Sequence, residues 1–140
     1  QYVLFFNKID QGARAYEKFG HKIVETGVAH YSYSEQFKLP QILNREKLDL
    51  VHFPHFNVPL LYRKPFVVTI HDLTHTFIPG TQKTRWHKRL AYNLVIWNAV
   101  KFSKKIIVVS QNTKKQITDH FRIPGDKIEV YEVREIARTL

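Results

Sequence analysis

The stretch Val67-Val68-Thr69-Ile70-His71-Asp72-Leu73-Thr74-His75 sets two histidines four residues apart with an aspartate between them. Two histidines at that spacing on one helical face, with an acid beside the first, can bind zinc and supply a general base. That chemistry needs a helix through both rings. Residues 66–70 are instead β-branched and apolar, and Phe77-Ile78-Pro79-Gly80 stops any helix just beyond, so the zinc reading loses ground. A second reading makes His71 the first residue past a strand. In open α/β sheets ligands bind beyond the carboxyl ends of the strands, where an imidazole can bond a hydroxyl or phosphate oxygen and Asp72 can orient it or hold a substrate hydroxyl. A third makes Asp72 a turn or cap and His71 a satisfied structural residue. The residues alone leave the last two readings level.

Other strand ends carry polar groups of the same kind. His52-Phe53-Pro54-His55-Phe56-Asn57 ends an apolar run and would set His55 and Asn57 on the edge that holds His71. Ser110 follows Ile106-Ile107-Val108-Val109, where it can cap the next helix and leave N-terminal amides facing an anion. Capping alone also accounts for it. Lys83, Arg85, Trp86, Lys88 and Arg89, in "KTRWHKRL", form a basic helix start with an aromatic residue. Such a start suits an anionic membrane surface, and equally a solvated charged face. No nucleic-acid motif accompanies it.

The elements that must position these residues follow from hydrophobic periodicity. Short runs at Tyr2–Phe6, Lys22–Glu25, Leu48–Phe53, Phe66–Ile70, Ile106–Val109 and Ile128–Val133 read as strands, several of them continuously apolar as parallel strands covered on both faces are. Helical patterns alternate with them: Ser34 to about Lys47 with Pro40 near its first turn, about Thr81 to Ser103, and the segment after Ser110 up to Pro124-Gly125. The long central helix shows an apolar stripe of Trp86, Leu90, Leu94, Trp97 and Val100/Lys101. Alternation of this kind predicts an α/β fold with a Rossmann-like, three-layer parallel sheet.

Composition narrows the function classes. At 140 residues and 44% hydrophobic, the chain is sized for one ordinary domain. It has no Cys, which excludes disulfides, thiolate zinc sites and a cysteine nucleophile. Leu90 to Phe102 contains Asn93, Asn98 and Lys101 and falls short of the roughly 20 apolar residues a membrane span needs. Charge is uneven: residues 1–70 hold nine Lys/Arg against six Asp/Glu (+3), and residues 71–140 hold thirteen against six (+7). The second half therefore favours an anionic partner.

"DLVHFPHFNVPLLYRKPFVVTIHDLTH" and, after a long helix, "KKIIVVSQNTKKQITDHFRIPGDKIEVY" resemble the N-terminal half of a family 4 glycosyltransferase of the GT-B fold. The resemblance is closest over residues 48–131 and looser before them. It implies a retaining transfer of a hexose from a nucleotide-sugar donor to a glycan or lipid-linked acceptor, with no metal or other cofactor, in the cytoplasm or on the inner face of the membrane. In such enzymes the N-terminal domain serves mainly the acceptor and a second domain holds the donor. By the same resemblance His71 contacts the transferred sugar, Asp72 follows it, Ser110 sits at the cleft edge, and the basic helix start is similar to membrane-facing elements. It also places a first strand before Tyr2 and the donor domain after Val130. The expectation is thus a partial acceptor-side domain over residues 1–126, with an exit strand and terminal helix at 127–140, inactive alone. A Rossmann-like module that is not catalytic and binds an anionic membrane or partner is the alternative. Glu17 and Glu25 share the E-x7-E spacing of the family's donor site but precede the acceptor-side strands, so the spacing is coincidental.

Overall fold

The computed structural model describes residues 2–29, 32–73 and 86–131, apart from the side chain of Lys88. Two compact units divide the chain, Gln1–Leu48 and Asp49–Leu140.

In the first unit, β1 (Val3–Phe6) pairs in parallel with β2 (Lys22–Glu25), in register from Val3↔Lys22 to Phe6↔Glu25. The crossover is short. Asp10 caps α1 (Gln11–Ala15) by accepting the Ala13 amide at 2.8 Å, and a 3-10 turn over Tyr16–Phe19 ends at Gly20. Gly20 has φ 78°, a left-handed conformation that costs residues with a Cβ about 1 kcal/mol or more. The Glu25 carboxylate accepts the Ile9 amide at 3.2 Å, a structural use of one member of the E-x7-E pair.

Helix α2 (Tyr33–Arg45) corrects the sequence expectation at its start. Its N-cap is Ser32, whose hydroxyl accepts the Glu35 amide at 3.2 Å; Ser34 lies inside the first turn with its hydroxyl 2.6 Å from that of Ser32. Ser32 stands three residues before Glu35, the capping-box spacing, and that spacing is the signal that separates the two serines. Pro40 consequently falls in the helix interior, where it removes one backbone donor.

The second unit contains a four-stranded sheet of β3 (Val51–Phe53), β4 (Phe66–Ile70), β5 (Lys105–Val108) and β6 (Ile128–Val130), all parallel and in sequence order. The expected α/β class with parallel strands is what forms. Several ends differ from expectation: β3 starts at Val51, with Leu50 outside it and exposed, β5 runs one residue earlier, from Lys105 to Val108, and β6 ends at Val130. The terminal helix expected beyond Val133 lies outside the described residues. Phe66, Val68, Ile70, Ile106, Val108 and Ile128 alternate onto one face and are each at most 1% exposed. Helix α3 (Trp86–Phe102) packs against β4, and α4 (Gln111–Phe121) against β5 and β6.

Helix α3 does not bury the stripe that the periodicity marks. Ile96, Ala99 and Val100 are buried at 1%, 0% and 1% exposure, while Trp86, Leu90, Leu94 and Trp97 are 78%, 61%, 48% and 47% exposed. Val100 therefore belongs to the opposite face from the stripe to which the periodicity joins it. The reason is fit: Ala99 and the β-branched Val95, Ile96 and Val100 form the narrower surface, which lets a helix approach a sheet closely, whereas tryptophans would hold it away. Ile96→Ala should cost roughly 2–4 kcal/mol in urea unfolding, and Leu94→Ala less than about 1 kcal/mol, the reverse of what the stripe alone predicts.

Candidate functional site

In a parallel sheet all strands finish on the same edge, so the segments after β3, β4 and β5 meet there. Pro54 follows β3, His71 follows β4, and Ser110 follows β5 by two residues. A chain of hydrogen bonds links them. The His71 Nε2 lies 3.1 Å from the Pro54 carbonyl oxygen. A carbonyl can only accept, so Nε2 carries the proton, and Nδ1 of the neutral ring is left as an acceptor. On the main-chain side, the buried Thr113 hydroxyl donates to the His71 carbonyl at 3.4 Å. The Ser110 hydroxyl is 2.9 Å from Thr113 Oγ1 and accepts the Thr113 amide at 3.1 Å.

Ser110 is thereby a helix cap first. Its hydroxyl is engaged by the opening turn of α4 and reaches the strand-end chain through Thr113. Thr113 is not among the site residues that the sequence suggests; its place three residues after the Ser110 cap is the available signal. His71 and Asp72 are both exposed on the same edge, directly after the buried Ile70. His55 is exposed, its ring 4.2 Å from Phe56, and its Nδ1 accepts the half-buried Asn57's amide at 3.4 Å. Phe56 packs in turn on Tyr92 of α3 at 5.1 Å. His55, Asn57, His71, Asp72 and Ser110 thus belong to one edge of one sheet.

His52 is a second unanticipated group. It lies within β3, and its Nε2 is 2.8 Å from the buried Thr69 hydroxyl on β4. Partial burial against the sheet lowers its pKa below the ordinary 6.5 and favours the neutral ring.

His75, Lys83 and Arg85 lie outside the described residues. Trp86 and Arg89 are exposed in the first turn of α3, and Lys88 is in that turn. Among the described residues no group of three or more His, Cys, Asp or Glu side chains could hold a metal ion, and no helix is long and apolar enough to cross a membrane.

Comparison with known families matches residues 10–131 to the family described as Glycosyltransferase Family 4. A search among curated proteins finds no significant match.

Two outcomes test the geometry. Ser110→Ala should lower stability by about 1 kcal/mol through loss of the cap, read as a shift of the urea midpoint. Stability should also fall as pH drops below 6.5 toward the folded-state pKa of His52, because the unfolded chain takes up that proton first. His52→Gln should flatten this part of the pH profile, and an unchanged slope would assign it to other groups.

Proposed function

The chain belongs to glycosyltransferase family 4, and from that membership we propose that it forms the acceptor-side part of a retaining enzyme that moves a hexose from a nucleotide-sugar to a glycan or lipid-linked acceptor. In this reading the acceptor hydroxyl forms the new bond to the anomeric carbon. The bond from that carbon to the nucleoside diphosphate breaks, and the hydroxyl proton leaves with the diphosphate. Charge builds up on the departing diphosphate, and groups from both sides of a cleft must stabilise it. The cations for that task would come from the donor-holding domain, with no resident cofactor required.

The observation that carries this reading is the tethered His71. Its ring is held by the Pro54 carbonyl and its backbone by Thr113, so it stands at the end of β4 in a defined orientation. With Nε2–H engaged, the free Nδ1 would accept a hydrogen bond from a hydroxyl of the transferred sugar. Asp72, His55 and Asn57 on the same edge would bind further hydroxyls, and Ser110 would line the rim through Thr113. An acceptor nitrogen held at a strand end suits sugar positioning, because orientation is the part of catalysis that such a contact supplies.

The test is turnover by an enzyme carrying both this segment and its donor domain. His71→Ala should reduce kcat/KM by about 10²-fold or more while leaving the unfolding midpoint within about 1 kcal/mol. NMR of the first-formed product should show the anomeric configuration of the donor. Normal turnover by the variant would overturn the role of His71, and an inverted product would overturn retention. The 140-residue chain by itself should release no nucleoside diphosphate from a nucleotide-sugar.

A further inference from the structure

Helix α2 has a regular inner face. Glu35, Pro40 and Leu43 are buried, and Gln36, Leu39 and Ile42 are half-buried beside them. On an amphipathic helix the opposite face is polar throughout. Here it begins with two aromatic rings, Tyr33 at 89% exposure and Phe37 at 58%. They stand one turn apart, and the line they start runs on through Gln41 and Arg45, both exposed, for roughly 18 Å at 1.5 Å per residue. Lys38 is exposed beside it.

We propose that this face of α2 is a binding platform for an acidic oligosaccharide. A gluco-configured pyranose has its hydroxyls around the rim and axial C–H bonds on its two faces, so each sugar offers an apolar disc. The negative face of an aromatic quadrupole attracts such C–H bonds. Rings at i and i+4, about 5–6 Å apart at their Cβ atoms, can hold neighbouring sugars of one chain. Next along the line, the Gln41 amide both donates and accepts, which suits hydroxyls.

Charge fixes the class of glycan. Glu35 is the one acid in α2 and is 4% exposed, and the Glu46 carboxylate just past the helix is held by the Lys22 ammonium at 2.6 Å. The outward face therefore presents Lys38 and Arg45 with no acid of its own. A uronate carboxylate matches them, bidentately at the guanidinium. Leu39, Ile42 and Leu43, the aliphatic residues of α2, all lie toward the inner face, which disfavours an acyl chain or an apolar helix as the occupant. The sugars held here are ones other than the sugar that reacts, where binding energy can still serve the reacting end. Choosing a sugar as ligand rests on the acceptor-side reading above, but the platform itself does not involve His71.

The isotope-labelled 140-residue chain is titrated with a hyaluronan tetrasaccharide, which alternates glucuronate with N-acetylglucosamine, and in parallel with neutral chitotetraose. Amide signals of residues 33–45 should shift with the acidic sugar, at an affinity about fivefold or more above that for chitotetraose in low salt. Tyr33→Ala and Phe37→Ala should each weaken binding by about three- to tenfold. Phe37→Leu should weaken it too, because leucine keeps apolar area and lacks the π face. Arg45→Gln should remove the preference for the acidic sugar. All three positions are exposed, so the urea midpoint should barely move.

No shift at residues 33–45 with millimolar hyaluronan tetrasaccharide would overturn the proposal. Equal affinity for chitotetraose would overturn the acidic class. Shifts at the same amides on concentrating the protein alone would replace the glycan with a second copy. Equally tight binding of a glutamate-rich peptide, unaffected by Phe37→Ala, would reduce the face to ion pairing. His71→Ala should leave this titration unchanged, so a failed titration beside turnover that still depends on His71 strikes the platform alone.

Discussion

Every neighbouring pair in the β3–β6 sheet is parallel and the strands follow in sequence order, so each connection must return from the carboxyl edge of one strand to the amino edge of the next. Right-handed crossovers in a sheet that grows in one direction carry their helices over one face. The consequence is visible in the burial pattern, where α3 and α4 cover the face of Phe66, Val68, Ile106, Val108 and Ile128. A second consequence is that all loops leaving a strand gather on a single edge. His71, the residues after Phe53 and the start of α4 are neighbours because of strand direction, although up to 42 residues separate the bonded pairs.

The same return path leaves helix ends to be satisfied. The last carbonyls of α3 have no partners within the helix, and Lys127, in the 3-10 turn before β6, donates to both the Val100 and Lys101 oxygens at 2.9 Å. Partial burial, and then the Lys101 charge, lower its pKa, while the two carbonyls and the helix dipole favour its cation. Lys114 performs a related task on the Ile128 carbonyl at 2.9 Å. Several cations of this basic half are therefore occupied in closing the sheet. Net charge is therefore a poor guide to partners until these internal uses are set aside.

Helix α3 meets two constraints with one sequence. Its inward face must be narrow enough to lie close to β4, which Ala99 and the β-branched residues allow. Its outward face is free of that limit and carries the bulk. Arg63 joins the two, since its guanidinium donates to the buried Asn98 Oδ1 at 2.9 Å and also covers Phe102. This contact places a permanent cation at the margin of an apolar surface. It couples the loop after β3 to the orientation of the outward face.

Local chemistry was readable wherever it depended on adjacent residues. β-branched runs marked β2 and β4 at their observed ends, Ser110 announced α4, and the position of His71 just past a strand followed from Phe66–Ile70 alone. Caps and short ends were less secure, as Ser32 against Ser34 shows, because two neighbouring hydroxyls offer the same local bond and the backbone angle selects one. The family resemblance was legible over most of the chain, since the order of strand-end motifs is a property of sequence. Two features needed the tertiary structure. The bonds from His71 to Pro54 and Thr113 span distances over which sequence carries no register. The facing of α3 was undetermined because a helix with apolar residues on two sides has no single direction of hydrophobicity, and only the fit against β4 decides which side is buried.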